Sequence, residues 1–95
     1  MVIQTKLFCV FDSKANVYYP PQPLQTRAEA IAIFSIAVNT PGNPLSDSPS
    51  DFSLFELADF DMEKATFHPL TAPERLCVGI EVLEQSAVAT SEDQS

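Results

Sequence analysis

The hydrophobic and polar positions along this chain predict short strands on either side of one helix. Residues 6–11, KLFCVF, are rich in β-forming side chains, and the turn cluster DSKAN follows at residues 12–16. The β-forming pattern resumes at residues 17–19, so we expect a hairpin with a short second arm. The proline-rich PPQP of residues 20–23 cannot donate regularly to a strand ladder, and we expect it to be an extended connection.

Residues 26–38 carry the clearest helix signal. The spacing T-R-A-E fits a capping box, in which Thr26 accepts from the amide of Glu29 and the Glu29 carboxylate reaches back to the amide of Thr26. The sequence NTPG at residues 39–42 ends the helix. At about 100° per residue, one broad apolar arc is predicted to pack on a sheet. It consists of Ala30, Ile31, Ile33, Phe34, Ala37 and Val38.

Residues 40–50 are loop-like in composition, and residues 51–60 form the strongest strand pattern. Strict alternation places Phe52, Leu54, Glu56 and Ala58 on one face, and Ser53, Phe55, Leu57 and Asp59 on the other. Both faces carry apolar groups, which is typical of a central strand covered on both sides. A short strand at residues 66–68, ended by Pro69, is expected to complete a second hairpin.

The last third of the chain is ambiguous. T-A-P-E at residues 71–74 repeats the capping-box spacing and predicts a helix over residues 72–85, but Gly79 and three β-branched residues leave a strand as an open alternative. Residues 86–95 are predicted to be a disordered acidic tail. The expected fold is a single α+β domain over residues 1–85, in the order β-β-α-β-β-α. Its small sheet of two hairpins packs against one or two helices.

The net charge of −8 argues against a simple electrostatic nucleic-acid binder, because such affinity comes from Lys and Arg that neutralise phosphates. The charge is unevenly distributed. The first 28 residues hold three cations and one acid, net +2, whereas the rest hold two cations and twelve acids, net −10. An anion-facing surface would therefore draw on the N-terminal third.

Other functional classes find little support in the residues. No apolar run approaches the length of about 20 residues that spans a bilayer, and the N-terminus lacks the features of a secretory signal. Cys9 and Cys77 each lie in an apolar run and are expected to be reduced core residues. His68 is the only histidine, and the acidic turn before it lacks the EF-hand pattern. We therefore expect no enzymatic activity, cofactor or metal.

Four sequence pieces in order resemble a known phage family. They are V-F-D-S-K-A with Tyr18 and Pro20 after it, the helix E-A-I-A-I-F followed by V-N, a proline-containing loop, and D-F-S-L-F-E-L-A-D-F-D. Over residues 7–61 the chain resembles the small nonstructural protein of gokushovirus-like Microviridae, which are single-stranded-DNA bacteriophages. The resemblance implies a DNA-binding protein in the cytoplasm of the bacterial host, acting in genome replication or in the switch to packaging.

The N-terminal hairpin combines cations with aromatic residues, as single-strand binders do. The predicted DNA-binding residues are Lys14, Tyr18, Tyr19 and Arg27. The alternative is that these aromatic side chains only pack the core. With so few cations, binding to single-stranded DNA is expected to be weak unless a homo-oligomer doubles the basic patch.

The outward face of the helix is poor in charge. Compared with the family it resembles, Ala32 replaces what is often a basic residue and Ile36 an acidic or polar one, so these two residues are the predicted interface with another copy. An alanine-rich face with one stray isoleucine explains the pattern equally well. The competing function is an acidic protein-interaction module that binds a phage replication or capsid protein with little or no DNA contact.

Overall fold

Five strands and three helices make up residues 4–84, the part of the chain that the computed structural model describes. In chain order they are β1 (Gln4–Asp12), β2 (Val17–Tyr18), β3 (Gln22–Leu24), α1 (Arg27–Val38), α2 (Pro44–Asp47), a 3-10 turn (Pro49–Asp51), β4 (Phe52–Asp61), β5 (Thr66–Val78) and α3 (Gly79–Val82). The predicted α+β class is confirmed. The tail predicted for residues 86–95 lies outside the described residues.

The strands form one curled antiparallel sheet in the order β2-β1-β4-β5, and β3 also pairs with β1. Both predicted hairpins are present, since β1 pairs with β2 and β4 pairs with β5. The prediction that β4 is a central strand is confirmed. The PPQP segment was predicted to be only an extended connection, but its last two residues belong to strand β3. In β3, Gln22 lies opposite Phe8 and Leu24 opposite Lys6.

Helix α1 begins as the sequence predicts, with Thr26 accepting a hydrogen bond from the amide of Glu29 at 3.1 Å. The Glu29 carboxylate, however, accepts from the amide of Gln25 rather than from that of Thr26. The helix packs on the sheet through a core that also contains side chains of β1, β4 and β5. The buried members are Phe8, Ala30, Phe34, Val38, Phe52, Leu54 and Cys77.

Two expectations for α1 and the segment that follows it were wrong. Ile33, predicted to lie in the packed arc of α1, is 46% exposed, because the sheet covers a narrower arc centred on Ala30, Phe34 and Val38. Residues 40–50 are not wholly a loop either. Asn43 caps α2 by accepting from the amides of Leu45 and Ser46, and Leu45 packs against the core.

The predicted helix over residues 72–85 is wrong. β5 continues to Val78, so the open alternative of a strand is correct up to that residue, and within residues 72–84 only Gly79–Val82 is helical. Pairing with β4 outweighs the capping signal, because it places Cys77 opposite Leu54 in the core. β5 tolerates Pro69 and Pro73 because it is the edge strand, where an N–H facing outward has no ladder partner to lose.

A β-bulge at Leu57 changes which residues share a face of β4. The adjacent β1 residues Leu7 and Phe8 lie opposite Ala58 and Glu56, so Leu57 is an extra residue in the β4 strand. Beyond the bulge the alternation is reversed. Ala58 therefore shares a face with Phe55, and Asp59 shares a face with Glu56, which corrects the grouping predicted from strict alternation.

Candidate functional site

The sheet has a helix-side face, which packs against α1, and a helix-free face. Residues that lie directly opposite each other on neighbouring strands share a face, so the pairing register assigns each side chain. The side chains on the helix-free face include those of Thr5, Leu7, Cys9, Phe11, Tyr18, Ser53, Phe55, Ala58, Phe60, Phe67 and Arg75. Five of these are aromatic.

Three of the aromatic residues form a cluster at one end of the helix-free face. The ring centroids of Phe11 and Tyr18 are 4.5 Å apart, and the Phe55 ring meets both, at 6.1 Å and 5.6 Å. Tyr18 is 53% exposed, so one ring of the cluster is open to a ligand. Arg75 of β5 lies directly opposite Phe55 and is exposed to solvent.

The other end of the same face carries a second aromatic pair. The Phe60 and Phe67 rings are 4.9 Å apart, and Phe67 is 62% exposed. These rings adjoin an open groove of about 730 Å³, which is lined mostly by apolar residues such as Leu7, Pro23 and Leu24 and also by Glu29. The helix-free face thus carries aromatic groups at both ends.

Each end of the face is formed by a hairpin, and the two hairpins share one sequence pattern. Residues 11–18, FDSKANVY, and residues 60–67, FDMEKATF, share the form F-D-x4-(V/T)-(Y/F) and have the same pairing register. In each turn an aspartate, Asp12 or Asp61, accepts hydrogen bonds from two following amides. A residue with positive φ follows, Asn16 at 60° and Ala65 at 55°. Sequence analysis missed this repeat, although it is visible in the sequence.

The acidic residues of the sheet avoid the helix-free face. Among the strand residues whose face the register assigns, all carboxylates lie on the helix side or at a hairpin end. On the helix side, Glu56 is 1% exposed and accepts hydrogen bonds from Lys6 and Arg27. The bulge at Leu57 brings Asp59 to this cluster, where it binds the Lys6 ammonium at 3.0 Å.

These contacts hold both cations in the charged form. The hydrogen bond to Asp59, together with the charges of Glu56 and Asp59, raises the pKa of Lys6 despite its partial desolvation. The hydrogen bond to Glu56 raises the pKa of Arg27. The Arg27 guanidinium also lies 3.6 Å from the Glu74 carboxylate. Neither cation has its charge free for a ligand.

A family model described as Phage ORF5 protein matches residues 5–82, most of the chain. The chain belongs to the Phage ORF5 protein family. It is therefore a bacteriophage protein, and the resemblance to a phage family is confirmed at that level. No curated protein matches the chain. No solved structure matches it either.

The four predicted DNA-binding residues of this Phage ORF5 protein do not form one cluster in the structure. Tyr18 lies in the aromatic cluster, and Lys14 lies in the turn of the same hairpin. Tyr19 lies on the helix side, where its ring packs 6.2 Å from that of Phe52. Arg27 is bound to Glu56. Phe55 and Arg75, which sequence analysis did not assign, join Tyr18 instead. DNA contact by any of them stays a prediction.

The remaining findings concern the predicted interface residues, metal-binding groups and membrane-spanning helices. Ala32 and Ile36, the predicted interface residues, are exposed on α1, with Ile36 66% exposed. Within residues 4–84, no group of three or more His, Cys, Asp or Glu side chains is arranged to hold a metal ion. None of the helices described there is long and apolar enough to cross a membrane.

Proposed function

We propose that this phage protein binds single-stranded DNA on the helix-free face of its sheet. The observation that carries the proposal is the cluster of Phe11, Tyr18 and Phe55, with Arg75 beside it, on a sheet face without carboxylates. An exposed sheet face with aromatic side chains is a surface on which unpaired bases stack. Such stacking tolerates any base sequence and contributes about 1–3 kcal/mol per base.

The distribution of charge supports this site. Lys14 and Arg75 make no ion pair with a described acidic residue, whereas Lys6 and Arg27 are paired on the helix side. On the helix side, Glu56, Asp59 and Glu74 are thus paired with cations of that side, and the aromatic face keeps the unpaired cation Arg75. With about two phosphates neutralised, the logarithm of affinity should fall with the logarithm of salt concentration with a slope of about −1.4.

The test is fluorescence anisotropy of a labelled single-stranded oligonucleotide, titrated with the protein at about 50 mM salt, where electrostatic binding is strong. Tyr18→Ser should weaken binding about fivefold or more, because one stacked ring is lost. Tyr19→Ser is the matched control, since it removes the same side chain on the opposite face. Unchanged anisotropy with the wild-type protein, or equal losses in the two variants, would refute the proposed site.

A second candidate function is protein interaction through α1, favoured by its exposed Ile33 and Ile36, which lie next to the exposed Ala32 on the outer part of the helix. In this proposal a homo-oligomer, or a phage replication or capsid protein, covers the outer face of the helix. Ile36→Glu should then lower the mass measured by light scattering or abolish capture of the purified phage partner. Two results together would count against it: the wild-type protein binds DNA as a monomer, and Ile36→Glu changes neither its mass nor its DNA binding.

A further inference from the structure

We infer that the helix-free face holds one DNA strand at two separate stacking stations, one on each copy of the repeated hairpin. This inference rests on the proposed function and adds the second station to it. The first station is the Phe11–Tyr18–Phe55 cluster. The second is the Phe60–Phe67 pair.

The two stations share one surface because of the pairing register. On β1, Phe11 lies opposite Tyr18, and Thr5 lies opposite Phe60, which in turn lies opposite Phe67. Phe11 and Thr5 are an even number of residues apart on an unbulged strand, so they point to the same side. Each station ends in one exposed ring, Tyr18 or Phe67, that can receive a base.

Each station also has a cation in its own turn. Lys14 lies in the turn of the first hairpin and Lys64 in the turn of the second, and neither is ion-paired to a described residue. Since β1 and β4 are antiparallel, the hairpins point to opposite ends of the sheet. A strand laid along the face would therefore meet a lysine at each end, with Arg75 near the first station.

The strand residues between the stations on this face carry no carboxylate. The stretch between them includes Leu7, which is half-buried, and Cys9 and Ala58, which are buried beneath their larger neighbours. The distance along β1 from Thr5 to Phe11, six residues further on, is about 20 Å at about 3.4 Å per residue. At about 3.4 Å per stacked nucleotide, this corresponds to about six nucleotides, and fewer if the strand is extended.

The experiment compares labelled oligothymidylates shorter and longer than this span, of about three and about nine nucleotides. The wild-type protein should bind the longer one at least about fivefold more tightly per site, because a second base stacks. Phe67→Ser should remove this gain, so that the variant binds the long and the short oligonucleotide with similar affinity per site. Tyr18→Ser should weaken the binding of both lengths. Ile80→Ser, which also removes an exposed apolar side chain but from α3, should change neither.

The outcomes separate this inference from the function on which it rests. Wild-type affinity that does not rise with length, or a gain that survives Phe67→Ser, overturns the second station while leaving the first in place. Lys64→Gln provides an independent check, since it should reduce the gain with length and leave the rings intact. Failure of the wild-type protein to bind either oligonucleotide overturns the proposed function and the two-station inference together.

Discussion

The buried carboxylate of Glu56 in β4 accepts a hydrogen bond from Arg27, the first residue of α1. This contact fastens the start of the helix to the centre of the sheet. Lys6 of β1 donates to the other carboxylate oxygen at 3.4 Å, so the three elements meet at one side chain. Glu56 is the most buried charged residue among those described.

The first prediction concerns Glu56. Glu56→Ala should lower the free energy of unfolding by about 2 kcal/mol. This lies below the range for breaking a fully buried pair, because Lys6 and Arg27 can turn toward water. Urea denaturation measures the change. Glu74→Gln is the control, because this exposed partner of Arg27 should contribute at most about 0.5 kcal/mol. Equal effects of the two substitutions would contradict the described geometry.

The second prediction concerns Gly79, which begins α3 against the 3-10 turn. A Cβ at this position would lie 2.4 Å from the backbone carbonyl oxygen of Pro49. Because backbone cannot move aside as a flexible side chain can, Gly79→Ala should destabilise the fold by about 1–3 kcal/mol. Ile80→Ala, at the next and exposed position, should cost much less. Thermal denaturation of both variants would show an inverted order if α3 did not abut this turn.

The third prediction concerns Ala65, whose φ of 55° lies in the left-handed region. This conformation costs a residue with a Cβ about 1–2 kcal/mol. Ala65→Gly should therefore raise the free energy of unfolding by about 1 kcal/mol, after the greater freedom of glycine in the unfolded chain is subtracted. The melting temperature would rise by several degrees. Asn16→Gly, at the equivalent position of the first hairpin, should give a smaller gain because Asn tolerates this region.

The sequence predicted the hairpins, α1 and the central position of β4, because local signals govern each of them: β-forming runs, turn clusters and the Thr26 cap. It did not predict the end of the chain correctly. At residues 72–85 the capping-box spacing was a local signal that pairing with β4 overrode. The exposure of Ile33 was also missed, since it depends on how wide an arc of α1 the sheet covers.

The candidate site was only partly predictable. Tyr18 and Lys14 were assigned to it from the mixture of cations and aromatic residues in the first hairpin, but the faces on which Tyr19 and Arg27 lie depend on tertiary contacts. Arg75 could not be placed without the register of β5 against β4. The repeated hairpin is the one part of the site that a search for internal repeats would have found.

The fourth prediction concerns pH. Burial raises the pKa of both thiols, Cys9 and Cys77, the latter also through Glu81. Because the unfolded thiols ionise first, stability is unaffected below the ordinary thiol pKa of about 8.5 and falls as the pH rises beyond it. Under reducing conditions, the wild-type protein should lose about 1 kcal/mol per thiol at most between about pH 7.5 and 9.5. A variant with Cys9→Ala and Cys77→Ala should show a smaller loss over the same interval.

The fifth prediction uses the intrinsic fluorescence of the protein, which contains two tyrosines and no tryptophan. In Tyr19→Phe the remaining tyrosine is Tyr18, on the aromatic cluster, and a base stacked there should quench its emission. In Tyr18→Phe the remaining tyrosine is Tyr19, on the helix side, and its emission should stay nearly constant. Titration with oligothymidylate measures both. Quenching in the second variant alone would place the DNA on the opposite face.

The extra residue Leu57 has a consequence for the chemistry of the whole surface. If Leu57 paired regularly instead of forming a bulge, the far half of β4 would turn over, so that the Asp59 carboxylate would lie on the face of the aromatic rings and Phe60 on the face of Lys6. The bulge therefore places the acidic and the aromatic side chains of β4 on opposite faces of the sheet. Were Leu57 to enter the regular pairing, the two surfaces would mix, placing negative charge on a face where β1 and β4 carry none.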